Sequence, residues 1–206
     1  MSDTNEALKI EDIENFGKIE ETPIKPVATE DNVLNITSFV KRYANLEKQI
    51  KTIKAAIEVN ESQKFKLIKK SRKNYDDFAG LTVAVLGLTF KPGTDDLREA
   101  PSLVNIPLML EDGAKVKAWD PVGVENYKKY YPNEIEYCDT IEETLNNADI
   151  CFIFTEWPEV KAFDVLKYKA LMRHPIVLDG RNCYTLKTFD GTGVTYDSIG
   201  RETIQG

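Results

Sequence analysis

The sequence predicts an α/β fold: a doubly wound parallel sheet preceded by a long helix and an acidic, flexible N-terminal tail. Three observations lead there. From Leu81 onward, short apolar runs rich in β-branched residues alternate with helical stretches, the pattern of strand–helix–strand units whose strands lie parallel. Tyr43, Leu46, Ile50, Ile53 and Ile57 recur at spacings of three and four, which places them on one helix face. Residues 1–32 hold nine acids against three lysines, with two prolines and little periodicity, the composition of a segment that cannot bury enough apolar surface to order itself.

Taken in order, residues 1–35 are the tail, 36–74 the helix and 80–206 the sheet domain. The helix is expected from Ser38 to about Lys73, capped by Ser38 or Thr37. Asn60 and Lys64 interrupt its apolar seam, so a pure coiled coil is not implied. A seam of this length exceeds what one small domain covers, and part of it is expected to meet a second copy or another domain.

Thr82–Leu86 reads as the first strand. A helix follows over Pro101–Glu111, with Pro107 inside it and Gly113 ending it. Lys115–Trp119 is a strand closed by Asp120 and Pro121. Tyr127–Tyr131 lies in a polar stretch read as helical. Ile135–Tyr137 is a short strand, and Ile141–Asn147 a short helix behind an Asp139/Thr140 cap. Ile150–Phe154, ICFIF, is a fully buried strand. Val160–Met172 contains a helix. Ile176–Leu178 and Val194–Tyr196 supply the last strands.

Charge and cysteine usage exclude several classes. Six units of the net charge of −7 sit in residues 1–32, leaving a nearly neutral remainder, unlike the basic footprint of a nucleic-acid binder. Cys138, Cys151 and Cys183 are far apart and His174 is the sole histidine, so no zinc-type ligand set is expected. An odd cysteine count points to a reducing compartment. No run approaches 18 apolar residues, and the N-terminus lacks the basic-then-apolar form of a secretory signal. A cytoplasmic protein is expected, without nucleic-acid or membrane partners.

In a doubly wound sheet, ligands collect at the carboxyl ends of the strands. Three such ends carry chemistry. The first holds VLGLTFKPGTDDLREAPS from Val85 to Ser102, where a glycine-rich phosphate loop is replaced by Gly87, Phe90, Lys91, Asp95, Asp96 and Arg98. The second, after Phe154, holds Thr155, Glu156 and Trp157. The third holds Asp179, Gly180, Arg181 and Asn182. Lys91 and Arg181 would bring positive charge to one crevice, Arg as a bidentate grip on phosphate and Lys as a point charge. Phe90 and Trp157 offer flat apolar surface for a ring, or else belong to the core. A phosphorylated small molecule with a ring fits, such as a nucleotide-sugar diphosphate. Arg98 beside Asp95, Asp96 and Glu99 is either a ligand contact or a solvated ion pair. Asp120 resembles the acid that holds a ribose, but without the glycine fingerprint a turn or cap is the simpler role. His174, before Pro175, reads as a surface residue.

The segments GLTFKPGTDDLREAPSL, AWDPV, ADICFIFTEWPEVKAFD and VLDGRNCY, in this order, resemble the C-terminal domain of the UDP-glucose/GDP-mannose dehydrogenase family. The resemblance runs from about Ala55 to Thr203 and includes AAIEVNESQK, which is similar to the end of that family's long central helix. TEW points to the UDP-glucose branch. The resemblance implies a Rossmann-like domain that closes over a UDP-sugar, with Phe90 and Lys91 contacting it, Arg181 helping to hold it, and Arg98 facing NAD bound by another domain. Gly87 would let the chain leave the strand, and the long helix would carry a homodimer interface.

The parent reaction is the NAD-dependent oxidation of UDP-glucose to UDP-glucuronate through a thiohemiacetal on a cysteine. The sequence departs from that pattern. It has no G-x-G-x-x-G and no cysteine before Cys138, and its three cysteines match no catalytic position. The chain alone is therefore expected to bind UDP-glucose or UDP but no NAD or metal, and not to oxidise the sugar. The alternatives are one subunit of a split nucleotide-sugar dehydrogenase, docked to an NAD-domain partner through helix 38–73, or a non-catalytic dimerisation module.

Overall fold

The computed structural model describes the backbone of residues 30–205 and the side chains of residues 38–205. Most of the acidic tail, residues 1–29, lies outside the described residues. The chain divides into two compact units, Met1–Ile53 and Lys54–Gly206. In the first, the described residues form a single helix, the beginning of α1 (Glu30–Gln63). Helix formation thus starts before Ser38 and Thr37, and both lie inside it rather than capping it. The seam residues Phe39, Tyr43, Leu46, Ile50 and Ile53 are all exposed.

The second unit holds the rest of α1, then α2 (Lys66–Ser71), and a seven-stranded sheet in the order β3-β2-β1-β4-β5-β6-β7. The strands are β1 (Thr82–Leu86), β2 (Lys115–Trp119), β3 (Ile135–Tyr137), β4 (Ile150–Ile153), β5 (Ile176–Asp179), β6 (Thr195–Ser198) and β7 (Ile204–Gln205). All neighbours pair in parallel except β6 and β7. That antiparallel edge was not anticipated: two residues are too few to show an alternation. β1 and β4 are adjacent, so the strand order reverses direction between them, and a crevice opens at their carboxyl ends.

Side-chain alternation along the strands builds two cores. Val83, Val85, Val116, Ala118, Phe152 and Leu178 point to one face, where α2, α3 (Ser102–Glu111) and α4 (Val124–Tyr127) cover them with Leu67, Ile68, Ile106, Met109 and Tyr127. Ala84, Leu86, Trp119, Cys151, Ile153 and Val177 point to the other, under α5 (Ile141–Leu145), α6 (Pro158–Lys161), α7 (Leu166–Leu171) and a 3-10 turn at Leu186–Phe189. Both faces of β4 are buried, which is why ICFI shows no alternation.

Local chemistry explains most element ends. Thr140 Oγ1 accepts from the Glu143 amide at 3.1 Å, capping α5, and Glu143 Oε2 reaches back to accept from the Asp139 amide at 3.1 Å. Gly113 closes α3 at φ 88°. Two of the expected helices, the long one and that at Tyr127–Tyr131, are corrected. The helix expected to run unbroken to Lys73 stops at Gln63 and restarts at Lys66. Its Lys64 carbonyl, which a continuous helix would use internally, instead accepts from Asn105 Nδ2 on α3 at 2.8 Å. The helix read within Val160–Met172 is α7, set off from α6 because Asp164 Oδ1 accepts from the Leu166 amide at 3.0 Å and starts a new turn. The stretch Tyr127–Tyr131 is mostly turn after α4, with the Tyr130 and Tyr131 amides both donating to the Tyr127 carbonyl.

α2 is pinned to β6 by charge as well as packing. The buried Asp197 carboxylate accepts from Lys70 Nζ at 2.5 Å and Lys73 Nζ at 3.0 Å. Burial pushes its pKa up, but the two lysines outweigh this and hold it below the usual carboxylate value. A depressed folded-state pKa contributes stability that is present above the unfolded-state value, near 4, and is lost as pH falls through the folded-state value. The acid-unfolding curve should therefore steepen below about pH 4. Asp197→Asn should flatten that limb and cost about 1–3 kcal/mol at pH 7. Urea melts of both proteins between pH 3 and 7 test this, and parallel pH profiles would refute it.

Candidate functional site

The carboxyl ends of β1, β4 and β5 meet the end of α1 and the start of α3 around a cleft of about 340 Å³, within the range of small-molecule sites. Backbone bonds carry the sheet into this rim: Phe154 N donates to the Leu86 carbonyl at 2.9 Å and Gly180 N to the Ile153 carbonyl at 3.0 Å. Gly87 leaves β1 at φ 91°, and an added Cβ there would lie 2.7 Å from the Thr155 nitrogen. Thr155 Oγ1 donates to the Thr89 carbonyl at 2.5 Å, locking the first strand end to the second.

The loop after β1 is closed on itself. Phe90 N donates to the Asp96 carbonyl at 3.0 Å, Asp96 N to Thr94 Oγ1 at 3.1 Å, and Arg98 N to Asp96 Oδ1 at 3.0 Å. This holds Phe90 at the mouth of the cleft, 42% exposed. Phe154 and Leu67 wall it from within, and Gly180 admits Leu67: a Cβ on Gly180 would stand 3.0 Å from Leu67 Cδ1.

Arg181 is placed by its own loop. The buried Asp179 accepts from the Arg181 and Cys183 amides at 2.7 and 2.6 Å and from Tyr196 Oη at 2.7 Å. The guanidinium makes a two-toothed pair with Glu156: Nη2 donates to Oε1 at 2.9 Å and Nε to Oε2. That bond holds the Glu156 carboxyl below, and the Arg181 guanidinium above, their ordinary values. Arg181 lines the cleft, and the pair uses only Nε and one terminal nitrogen, so Nη1 keeps its donors for an anion.

Of the residues singled out in the sequence, Phe90 and Arg181 meet at this cleft. Lys91 is exposed on the same loop but does not line it; the second lining cation is Lys64. Trp157 is buried in the core, its Nε1 donating to Asp120 Oδ2 at 3.0 Å. It offers no ring surface to a ligand. Arg98 is 89% exposed and fastened to Asp96 by Nη2 at 2.8 Å, the solvated-pair reading. Asp120 organises the turn: Oδ2 accepts from the Leu88 amide at 2.7 Å and the Thr89 amide at 3.2 Å, and Oδ1 from the Gly123 amide at 2.7 Å. His174 is exposed, with Nδ1 2.9 Å from Tyr75 Oη.

Burial pushes the thiols of Cys138, Cys151 and Cys183 up, the reverse of what an attacking thiolate needs. Among the described residues no group of three or more His, Cys, Asp or Glu is placed to hold a metal ion, and no helix is long and apolar enough to cross a membrane.

The UDP binding domain of the UDP-glucose/GDP-mannose dehydrogenase family matches residues 84–186, which include the β1 loop, the β4 end and Arg181. The chain belongs to this family. Members with which it shares most of its length include two UDP-glucose 6-dehydrogenases of Bacillus subtilis. YwqF is 39% identical over 167 residues, covering 81% of this chain and 38% of the relative. TuaD is 38% identical over 156 residues, covering 76% and 34%. A solved UDP-glucose dehydrogenase from Pyrobaculum islandicum superposes with a TM-score of 0.59 at 29% identity, over 73% of this chain and 33% of that one. The chain therefore spans well under half the length of the relatives it matches. The residues that the sequence reading missed, Lys64 and Leu67, precede the matched segment. Their signal was the polar break at Asn60 and Lys64 in an otherwise apolar helix stripe.

Proposed function

We propose that this family member binds the UDP moiety of UDP-glucose in the β1/β4/β5 cleft, as the nucleotide-sugar half of a UDP-glucose 6-dehydrogenase. One observation carries the reading: Arg181, fixed by Asp179 and Glu156, turns a guanidinium with unused donors toward a cleft walled by Phe90 and Phe154. A bidentate cation beside aromatic walls suits a diphosphate attached to a base. The similarity to two UDP-glucose 6-dehydrogenases supports UDP-glucose over other sugars.

The oxidation itself uses NAD, and the described sheet does not fit that cofactor in the ordinary dinucleotide position. The acid that would hold its ribose, Asp120, is spent on the Leu88, Thr89, Val122 and Gly123 amides and on Trp157, and no glycine loop leads into α3. In this reading NAD and the nucleophile act from outside the described sheet. In the same reading Arg98, exposed and paired with Asp96, faces a dinucleotide presented from outside. In this reading Lys91, exposed on the same loop and outside the cleft lining, turns in to contact the ligand when it binds. The exposed apolar seam of α1, including Phe39, Tyr43 and Ile50, supports docking of a second copy or an NAD-domain partner.

Isothermal titration of the chain with UDP-glucose, UDP and NAD in parallel tests this. UDP-glucose and UDP should bind saturably, NAD should not, and no NADH should form. Absence of heat with both uridine nucleotides would end the proposal.

A further inference from the structure

The cleft is lined by a second cation besides Arg181. Lys64 lies in the turn between α1 and α2, with its side chain 17% exposed and lining the cleft. Its backbone is fixed by Asn105 Nδ2, which donates to the Lys64 carbonyl at 2.8 Å and to the Pro101 carbonyl at 2.7 Å. Its ammonium is held by Glu99 Oε2 at 2.6 Å and Glu61 Oε1 at 3.1 Å. The two ends of the Lys64–Glu99 bond differ. The Lys64 side chain is 17% exposed, whereas the Glu99 side chain is 69% exposed. Glu99 also sits at φ 61°, a left-handed conformation that a residue with a Cβ adopts at a cost. It stands just before Pro101, another lining residue of the cleft. Opposite, Arg181 is paired in the same way with a carboxylate, Glu156. Two cations thus line one small cleft, and each is occupied by an oxyanion from the protein itself.

We propose that Lys64 is a second phosphate-binding residue of the cleft and that Glu99 is a displaceable stand-in for the ligand. A nucleoside diphosphate takes the Lys64 ammonium, and Glu99 swings into water. The exchange is favourable because an exposed carboxylate loses little on release, while a phosphate keeps the ammonium paired by a charge-assisted bond. The Glu99 hydrogen bond, working against burial, holds the Lys64 pKa above its ordinary value, and an anionic phosphate in its place favours the charged form in the same way. Release of Glu99 also loosens a contact between the β1 loop and the end of α1, so ligand binding becomes coupled to that loop. The inference rests on the nucleotide reading of the cleft.

Three variants of the full chain test it by titration with UDP, with thermal melts as a folding control. Lys64→Met, which keeps the aliphatic stem, should weaken UDP by about 10- to 100-fold, as expected for loss of one charge-assisted contact. Lys64→Arg should stay within a few-fold of the parent. Glu99→Gln should tighten UDP by about 2- to 5-fold, because a competing exposed ion pair is gone. A purely structural pair would behave otherwise: Lys64→Met and Glu99→Gln break the same bond and would shift affinity together. Joint weakening, or unchanged affinity in Lys64→Met, overturns the inference. If the parent binds UDP and Arg181→Ala does not, while Lys64→Met binds like the parent, this inference alone fails. If the parent does not bind UDP, the nucleotide reading fails and this falls with it.

Discussion

Gly87→Ala is expected to lower the unfolding free energy by about 3–5 kcal/mol, combining the cost of a left-handed backbone with overpacking. The position leaves β1 at φ 91°, and a Cβ would press on the Thr155 backbone nitrogen and side-chain oxygen at 2.7 and 2.6 Å. Neither can retreat. Thr155 follows β4, is fully buried, and donates its hydroxyl to the Thr89 carbonyl. The backbone of Gly87 itself donates to the Trp119 carbonyl at 2.8 Å. The clash therefore spreads across three strand ends. Urea denaturation followed by far-ultraviolet circular dichroism measures the effect. As a control, Gly93→Ala shares the positive φ, at 77°, but meets nothing within 4 Å, and should cost only about 1–2 kcal/mol. Equal losses at the two sites would show that close packing at the β1 end is not what requires glycine.

Arg181→Ala is expected to weaken UDP binding by about 10- to 100-fold, the range for a hydrogen-bonded charge removed from a partly buried site. The substitution removes the guanidinium that lines the cleft while leaving the loop intact, because Asp179 Oδ1 is held by the residue 181 amide rather than by its side chain. It also frees Glu156, whose carboxyl loses the bond that holds its pKa down, so a negative charge is left at the same edge and adds to the loss. Arg181→Lys keeps the charge without the fork geometry and should recover only part of the affinity. Titration calorimetry with UDP, paired with a denaturation curve, separates a binding defect from unfolding. A variant that folds and binds UDP like the parent would remove Arg181 from the site.

Much of the architecture was legible along the chain because it depends on local periodicity. The strands of the sheet other than β7 show their apolar runs, Thr140 and Gly113 mark helix ends, and the segment from Val85 to Ser102 announces a strand end without a phosphate loop. The family motifs also lie in order along the chain, which is why Phe90 and Arg181 could be named together. The failures have a common cause. The break after Gln63 follows from Asn105, some forty residues on, taking the Lys64 carbonyl. Trp157 read as a ring platform because nothing nearby in sequence shows that its nitrogen meets Asp120 on another strand end. Lys64 read as a defect in an apolar stripe because only folding brings that stripe's end beside Phe90 and Arg181.

The sequence by itself determined the order of strands β1 to β6 along the chain and the chemical character of the rim: cations, carboxylates and aromatic rings. Those properties depend on residue type and on spacings of two to four positions. Only the tertiary structure decided which charges share a cleft and which are already paired. Hydrogen bonds and burial link residues far apart in the chain, and their geometry is fixed when the layers pack. Arg98 and Arg181 illustrate the division. Each stands near acids in the sequence or at a strand end, yet one is a solvated pair with Asp96 and the other is braced by Glu156 against a cleft.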